Sequence, residues 1–299
     1  MDKEIEDHES QTPDKQAAAK KSTLVSVVVN ICLTVSQVFA GVVSGSQGLI
    51  ADGIHSATDL VADFVVLFAN HHSAKDADED HQYGHQRYET AASLFLGISL
   101  LAVGAGMLLK AGEKIIDPVP VGQIQILALY VALFSLLAKE ILFRYMLSVA
   151  KRVRSSMLVA NAWHARSDAA SSLVVSIGIV AALLGHPIFD AIGALVVGLM
   201  VAKMGWKFGW DALHDLMDRA VSEEEYRQIE EIIKSIDGVR GFHDIRTRKM
   251  GDMILVDVHI DVDANATVKL GHDIALKVVN QIKKKLPVLN VMTHIDPVQ

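Results

Sequence analysis

The chain has 299 residues, 51% of them hydrophobic, and its mean hydropathy is positive, which together favour a membrane protein over a soluble one. Its formal net charge of −7, without any stripe of basic residues, argues against a nucleic-acid partner. The single cysteine, Cys32, excludes an intramolecular disulfide and metal sites built from several thiolates.

The N-terminal segment is polar and acidic. It begins MDKEIEDHES and lacks the basic stretch and short apolar core of a cleavable signal peptide. We therefore expect residues 1–21 to form a flexible cytosolic tail and the first apolar helix to be retained.

Long apolar windows follow the tail. A helix needs about 20 mostly apolar residues to cross about 30 Å of hydrocarbon. Six windows meet that requirement: 22–45, 48–71, 90–111, 123–147, 157–184 and 187–208. The sequence thus predicts a six-helix transmembrane bundle over residues 22–208.

Basic residues in the connections predict the orientation, because Lys and Arg of short loops concentrate on the cytoplasmic side. On one side, the N-terminal tail and two connections carry Lys15, Lys20, Lys21, Lys75, Arg87, Lys151, Arg152 and Arg154. The connections on the other side carry only Lys110 and Lys114. Both termini are therefore predicted to be cytoplasmic, in a multi-pass protein of the cell inner membrane.

The last part of the chain, 209–299, lacks apolar windows and is predicted to be a small soluble domain. The patterns predict helix 222–236 with Ser222 as N-cap, strands 239–249 and 253–263, helix 267–285 and strand 289–296. This αββαβ order is typical of a small ferredoxin-like or metallochaperone-like α+β domain, with helices on one face of an open sheet.

Two identical motifs occur inside the apolar helices. His55 and Asp59 lie four residues apart, as do His164 and Asp168, so each pair shares one helical face. An aspartate at a helix centre costs on the order of 2.5 to 3.5 kcal/mol, and a bound divalent cation would offset that cost. Two histidines and two carboxylates suit tetrahedral Zn²⁺. The alternative is a pair of His–Asp hydrogen bonds that only packs the bundle.

These motifs, the six helices and the C-terminal domain together resemble the cation diffusion facilitator family. The resemblance implies that His55, Asp59, His164 and Asp168 bind the transported ion, in the manner of the zinc members. Asp52 and Asn161 lie one helical turn before the two histidines and are better placed to support ligands or line the pathway.

Lys139 and Glu140, in the fourth apolar window, are a separate feature. They could form an internal ion pair near the cytosolic end or snorkel to the interface, and the sequence assigns them no transport role.

The second connection is rich in metal-ligating side chains. Asp78, His81 and His85 match the family's loop metal site, and oxygen and imidazole ligands suit zinc or a related ion. The alternative is an ordinary solvated acidic loop.

The C-terminal domain carries a third set. Alternation in 256–263 puts the apolar residues on one face of a strand and Asp257, His259, Asp261 and Asp263 on the other. The resemblance implies a cytoplasmic binuclear site that joins two copies of the chain and regulates transport, with the ligands His243, His259, His272, His294 and Asp296. Any one of these histidines alone would be read as a solvated surface residue.

Arg87 and Asp218 match a charge pair by which family members couple the membrane and soluble parts. The alternative is two unrelated surface charges.

Function is predicted from these sites together. Metal binding requires neutral imidazole and ionised carboxylate, so protons compete with the metal, and we expect proton-coupled antiport. The resemblance implies that the metal, first of all Zn²⁺, is exported from the cytoplasm and that the protein is a homodimer. The same ligands also accommodate Fe²⁺, Co²⁺, Ni²⁺, Cd²⁺ or Mn²⁺. An intramembrane metalloenzyme is disfavoured because no HExxH motif occurs, and a non-transporting metal sensor or scaffold is the other alternative.

Overall fold

The computed structural model describes residues 13–73, 75–116, 125–152 and 156–299. Six long helices come first: α1 Pro13–Ser44, α2 Gln47–Ser73, α3 Arg87–Ile116, α4 Ile126–Arg152, α5 Ser156–Leu183 and α6 Ile188–Leu216. A small α+β part follows: α7 Glu223–Lys234, β1 Gly241–Met250, β2 Met253–Asp263, α8 Val268–Lys285 and β3 Val288–Val298. The predicted fold class is confirmed.

The first helix begins at Pro13, inside the stretch predicted to be a tail. Pro is favoured in the first turn of a helix, and the Ala- and Lys-rich residues that follow have high helix propensity. Residues 1–12 of the predicted tail lie outside the described residues.

The helices have the length and composition of membrane spans. Within the described residues, five segments qualify: Leu24–Ser44, Arg87–Ile116, Ile126–Arg152, Ala165–Leu183 and Ile188–Leu216. The remaining long helix, α2, is not among these segments, and it carries His55 and three aspartates, Asp52, Asp59 and Asp63. That polarity requires partners for these side chains inside the bundle.

The helix surfaces are inverted relative to those of a soluble protein. Phe39, Phe95 and Phe134 are exposed, whereas Gln37 and Ser135 are buried. An apolar exterior with polar groups turned inward suits a hydrocarbon surrounding, where an unsatisfied polar group is costly.

The described structure divides into two compact units, and the division falls within α2, α3 and α6. The first comprises the chain up to Asp63 together with Ser99–Gly205, and the second comprises Phe64–Ile98 and Trp206–Gln299. The domain limits predicted from the sequence, 1–21, 22–208 and 209–299, stay predictions.

The first unit is held together by close helix packing. Leu49, Val175 and Val197 are fully or almost fully buried in its core. A Cβ added at Gly104 would lie 2.7 Å from the backbone nitrogen of Ala202, so α3 and α6 approach to backbone contact. Such contact between small residues is typical of membrane helices.

A buried carboxylate from another helix caps the N-terminus of α2. Asp190 of α6 accepts hydrogen bonds from the Ser46 hydroxyl at 2.5 Å and from the backbone N–H groups of Gln47 at 2.7 Å and Gly48 at 3.2 Å. The first N–H groups of a helix lack intrahelical acceptors, and an anion there also complements the helix dipole. The sequence pattern alone gave no reason to pair these two helices.

The second unit contains a three-stranded sheet in the order β1-β2-β3. β1 pairs antiparallel with the central strand β2, and β2 pairs parallel with β3. Apolar side chains of β2 pack with α7 and α8 in one core that includes Val258, Ile260, Ile233 and Val278. Both helices therefore cover one face of the sheet, which leaves the polar face of β2 open.

The start of α7 follows the sequence prediction. Ser222 is its N-cap and forms a capping box with Glu225, in which each side chain bonds the other residue's backbone N–H. The Ser222 side chain and N–H donate to the Glu225 carboxylate and lower its pKa below the usual 4.5. Such a box satisfies N–H groups that the helix cannot pair internally.

Candidate metal-binding sites

The membrane group consists of His55 and Asp59 on α2 and Asp168 on α5. One ligand atom from each of the three side chains lies within 4.8 Å of the other two. His55 Nδ1 is 3.7 Å from Asp59 Oδ2, and His55 Nε2 is 3.9 Å from Asp168 Oδ1. The i,i+4 spacing puts His55 and Asp59 on one face of α2, and that face meets α5.

The spacing is close to that of a single ion. Imidazole nitrogen and carboxylate oxygen bind Zn²⁺ at about 2.0 to 2.2 Å, so two ligand atoms of one ion lie no more than about 4.4 Å apart. The distances of 3.7 Å and 3.9 Å involve different ring nitrogens of His55, so only one of them can belong to a given ion. One ligand atom from each side chain lies within 4.8 Å of the other two, so a small side-chain movement would bring all three to one ion. His164, the fourth predicted ligand, lies on α5, but its side chain is outside the described part, as is that of Asn161.

Sequence reasoning missed the partner of Lys139. This lysine is buried in α4, and its Nζ lies 3.4 Å from Oδ1 of Asp52, which is also buried. Glu140 instead accepts a hydrogen bond from Arg144 at 2.8 Å on the same helix. A lysine within an apolar helix signals a buried partner, and Asp52 was the acidic residue of α2 closest to the ligand motif.

The loop group consists of Asp78, His81 and His85 between α2 and α3. His81 Nδ1 and His85 Nε2 each lie 3.3 Å from one of the two Asp78 oxygens. The backbone N–H of His81 donates to Asp78 Oδ1 at 2.7 Å, and this bond is the largest cause that lowers the pKa of Asp78 below 3.8. The structure thus brings together all three residues that the sequence predicted.

The tautomer of His85 fits a ligand role. Its Nδ1 lies 3.1 Å from the backbone carbonyl oxygen of Asp76, and a carbonyl oxygen only accepts, so Nδ1 is the donor. In the neutral ring that binds a metal, Nε2 then carries the lone pair, and this nitrogen lies 3.3 Å from Asp78 Oδ2. This arrangement, with one ring nitrogen fixed by a carbonyl, is common for metal-binding histidines.

The C-terminal group consists of His243, His259 and Asp296, one from each strand. The sheet register pairs His243 with His259 and places His294 beside His259 on the other side. His259 Nδ1 lies 2.9 Å from Asp296 Oδ2, and His243 Nε2 lies 3.5 Å from the same oxygen. Three strands therefore deliver three ligand atoms to one spot on the polar face of the sheet.

Three further residues lie near this group or were predicted to join it. His294 Nε2 is 3.5 Å from Asp296 Oδ1, and His243 Nδ1 is 3.5 Å from Asp261 Oδ1. Asp261 was not among the predicted ligands, although its i,i+2 spacing from His259 places both on one face. His272 lies at an exposed position on α8 and is not part of the C-terminal group, so its ligand role stays a prediction.

The charge pair predicted between Arg87 and Asp218 is present. Arg87 Nη2 lies 2.7 Å from Asp218 Oδ1, and both side chains are exposed. Asp218 follows α6 with φ +58°, a left-handed conformation that Asp tolerates better than most residues. Arg87 also donates to the carbonyl oxygen of Leu216 at 3.4 Å, so the start of α3 contacts the end of α6 within the second unit.

Comparison with known proteins places nearly all of the chain after the N-terminal segment in one group. Residues 23–217 match a family model described as the cation efflux transmembrane domain, and residues 221–298 match the cation efflux protein cytoplasmic domain. An uncharacterized transporter of Methanocaldococcus jannaschii is 34% identical over 277 residues, which cover 93% of this chain and 98% of that protein.

Two further relatives carry functional names. The manganese efflux system protein MneP of Bacillus subtilis is 32% identical over 292 residues, covering 95% of this chain and 98% of that protein. The magnetosome protein MamB of Magnetospira sp. is 37% identical over 245 residues, covering 80% and 82%. The solved MamM CTD in its nickel form is 25% identical, with a TM-score of 0.26, and covers 26% of this chain and 100% of that one.

The family matches extend across the membrane helices and the C-terminal domain, and relatives more than 30% identical align along almost their full length. The chain is therefore a multi-pass membrane protein that belongs to the cation diffusion facilitator family of metal cation efflux transporters.

Proposed function

We propose that this chain exports a divalent transition metal, with Zn²⁺ as the first candidate, from the cytoplasm across the cell inner membrane in exchange for protons. The membrane group carries the proposal, since it gathers an imidazole and two carboxylates inside a bundle where such side chains are costly. His164 is proposed as the fourth ligand, because His164 and Asp168 on α5 have the same four-residue spacing as His55 and Asp59 on α2.

Zinc is proposed from the ligand set. Two imidazoles and two carboxylates give four ligands of the kinds that bind Zn²⁺ tetrahedrally. Mn²⁺ is the second candidate, because the relative MneP is named for manganese efflux and carboxylate oxygens suit that ion. The two ions differ in coordination geometry, since Mn²⁺ prefers six ligands, mostly oxygen atoms, in an octahedron, whereas Zn²⁺ accepts four in a tetrahedron.

Proton exchange follows from the chemistry of the ligands. A histidine binds metal only when it is neutral, and a carboxylate only when it is ionised, so each proton that binds weakens the hold on the metal. Metal that loads from the cytoplasm would be released on the other side as protons take its place. The bound protons also neutralise the carboxylates when no metal is present, which lowers the cost of keeping these side chains inside the membrane.

The other two groups are proposed to regulate. The loop and C-terminal groups are more exposed than the membrane group, and the C-terminal group lies on the open face of the sheet. We propose that metal there favours contact between two C-terminal domains in a homodimer, with His272 and His294 contributing to a binuclear site. The Arg87–Asp218 pair would couple that contact to the helices.

The proposal is tested by metal flux into proteoliposomes that contain the full chain. Zn²⁺, Mn²⁺, Fe²⁺, Co²⁺, Ni²⁺ and Cd²⁺ are compared side by side, each with and without a pH gradient. We expect Zn²⁺ flux that rises with an opposing proton gradient. Flux that ignores the gradient would refute antiport, and Mn²⁺ flux well above Zn²⁺ flux would favour the second candidate. A protein that binds metal but moves none would be a sensor.

A further inference from the structure

A polar network lies beside the membrane group and takes part in none of the steps proposed above. It is called the Lys139 network here and comprises Gln37 of α1, Asp52 of α2, Lys139 of α4, and Ser171 and Ser172 of α5. All five side chains are at most 3% exposed. Four helices thus meet around one buried ion pair.

The lysine uses all its hydrogen-bonding capacity. An ammonium has three N–H donors, and the Lys139 Nζ has three acceptors: Ser172 Oγ at 2.8 Å, Asp52 Oδ1 at 3.4 Å and the backbone carbonyl oxygen of Asp168 at 3.4 Å. Two of these acceptors are on α5 and one is on α2. Lys139 therefore bridges the two helices that supply the metal ligands.

Asp52 is equally saturated. Its two oxygens accept hydrogen bonds from Ser172 at 2.6 Å, from Lys139 and from the amide of Gln37. The Ser171 hydroxyl also lies 3.0 Å from Oδ1, but it has one proton and is closer to the carbonyl oxygen of Asp168. A carboxylate held by three donors is fixed in position. It is also occupied with partners other than a metal, although it lies only one helical turn before His55.

The network contacts the membrane group directly, through the backbone of Asp168. The carbonyl oxygen of Asp168 accepts from Lys139 at 3.4 Å and from the Ser171 hydroxyl at 2.7 Å. Asp52 precedes His55 on α2, whereas Ser172 follows Asp168 on α5, so the contacts run between antiparallel helices. The network accordingly packs against one end of the membrane group and fixes the turn of α5 that carries Asp168.

Stability alone is a weak reason for such a pair. Buried ion pairs replaced by apolar residues of similar volume often leave a protein equally stable, because the desolvation cost of both charges disappears. What an apolar replacement cannot supply is a directional bridge from one donor to a hydroxyl, a carboxylate and a carbonyl. That bridge sets the position of Asp168 relative to His55, which is 3.9 Å away.

We propose that Lys139, paired with Asp52, is a positioning residue of the transport site, which holds the Asp168 turn of α5 against α2 at the separation that one metal ion requires. The inference rests on the proposed transport function. A ligand displaced by about 1 Å weakens metal binding, because coordination distances tolerate only about 0.2 Å.

The test measures Zn²⁺ flux of the full chain in proteoliposomes and separates KM from kcat. Lys139→Met removes the bridge. Asp52→Asn combined with Lys139→Met removes both charges, so that no uncompensated charge stays buried. Ser172→Ala retains both charges and removes one acceptor of the lysine. Glu140→Gln is the matched control, since Glu140 adjoins Lys139 but bonds only Arg144 among the contacts described for it.

We expect the KM for Zn²⁺ to rise at least ten-fold in Lys139→Met and in the double variant, and a few-fold in Ser172→Ala, while Glu140→Gln stays within two-fold of the wild type. A wild-type KM in the folded double variant would overturn the inference. If neither Lys139 variant folds, a wild-type KM in Ser172→Ala overturns it equally. Absence of metal flux in both the wild type and Glu140→Gln would instead refute the proposed function.

Discussion

The membrane group and the C-terminal group use the same ligand chemistry, and burial separates them. The side chains of His55, Asp59 and Asp168 are 5%, 17% and 19% exposed. Those of His243, His259 and Asp296 are 50%, 38% and 31% exposed. Unpaired charge is costly in the first setting and cheap in the second, because water screens it. We therefore expect the first group to be intolerant of change and the second to be adjustable.

Removing one carboxylate charge from the membrane group gives the largest expected effect. For Asp59→Asn or Asp168→Asn we expect Zn²⁺ flux to fall on the order of 100-fold or more. Mutation of a residue that only hydrogen-bonds a metal ligand already lowers metal affinity or activity by about 10-fold to 100-fold. Flux into proteoliposomes measures it. Asp257→Asn, which changes an exposed carboxylate of β2, is the control and should stay within two-fold. Wild-type flux in either membrane variant would remove the group from the transport pathway.

Substitution in the C-terminal group should affect binding more than transport. We expect His259→Ala to weaken Zn²⁺ binding at this site by about 10-fold to 100-fold and to lower maximal flux only a few-fold. Isothermal titration of the full chain in detergent measures the binding. His272→Ala, tested in parallel, shows whether that residue joins the site when metal binds. A complete loss of flux in His259→Ala would erase the distinction between the two groups.

The charge pair tests whether the exposed region communicates with the helices. Asp218→Asn keeps a residue that tolerates φ +58° and removes the charge that pairs with Arg87. We expect the free energy of unfolding to change by less than about 1 kcal/mol, as for exposed pairs in general. The response of flux to cytosolic Zn²⁺ should fall several-fold.

Arg227→Gln is the control for that experiment, because it breaks the exposed pair with Glu223 on α7. It should alter neither stability nor the response to Zn²⁺ appreciably. Equal behaviour of the two variants would mean that the Arg87–Asp218 pair carries no signal.

The smallest expected effect is at the cap of α7. Ser222→Ala should lower the local opening free energy of α7 by about 1 kcal/mol at pH 7, measured by hydrogen exchange of its amides. Glu225 has a lowered pKa, so its bonds to Ser222 stabilise the helix above pH 4.5 and lose that contribution as the pH falls through the lowered value. The difference between variant and wild type should therefore shrink below pH 4.5. Ser222→Thr retains the hydroxyl and should lose less stability.

Periodicity and composition predicted the elements well, because each signal is local. The limits of β2, 253–263, and the cap at Ser222 were predicted as the structure has them. Alternation in β2 also predicted which side chains face the core. The partner of Lys139 could not be predicted in this way, since a helix pattern gives the face of a residue but not which helix packs on that face.

The metal groups show the same limit. Spacing put His55 and Asp59 together because four residues make about one helical turn. Whether Asp168 meets them depends on how α2 and α5 pack. In the C-terminal domain, the resemblance suggested five ligands. The strand register assembles His243, His259 and Asp296 and brings Asp261 close to His243, whereas His272 lies on α8 and is not part of this group.

By itself the sequence determined the long helices, the αββαβ order and the placement of each His–Asp pair on one helical face, because hydrophobic period and i,i+4 spacing are properties of short segments. Only the tertiary structure decided which carboxylates of the bundle pair with other side chains or a helix end and which belong to the membrane group. Asp52, Asp190 and Asp59 all lie in helices of the bundle, yet Lys139 neutralises the first, the start of α2 engages the second, and the third faces His55. The physical reason is that a buried charge takes its role from its neighbours, and neighbours distant in sequence are fixed by packing.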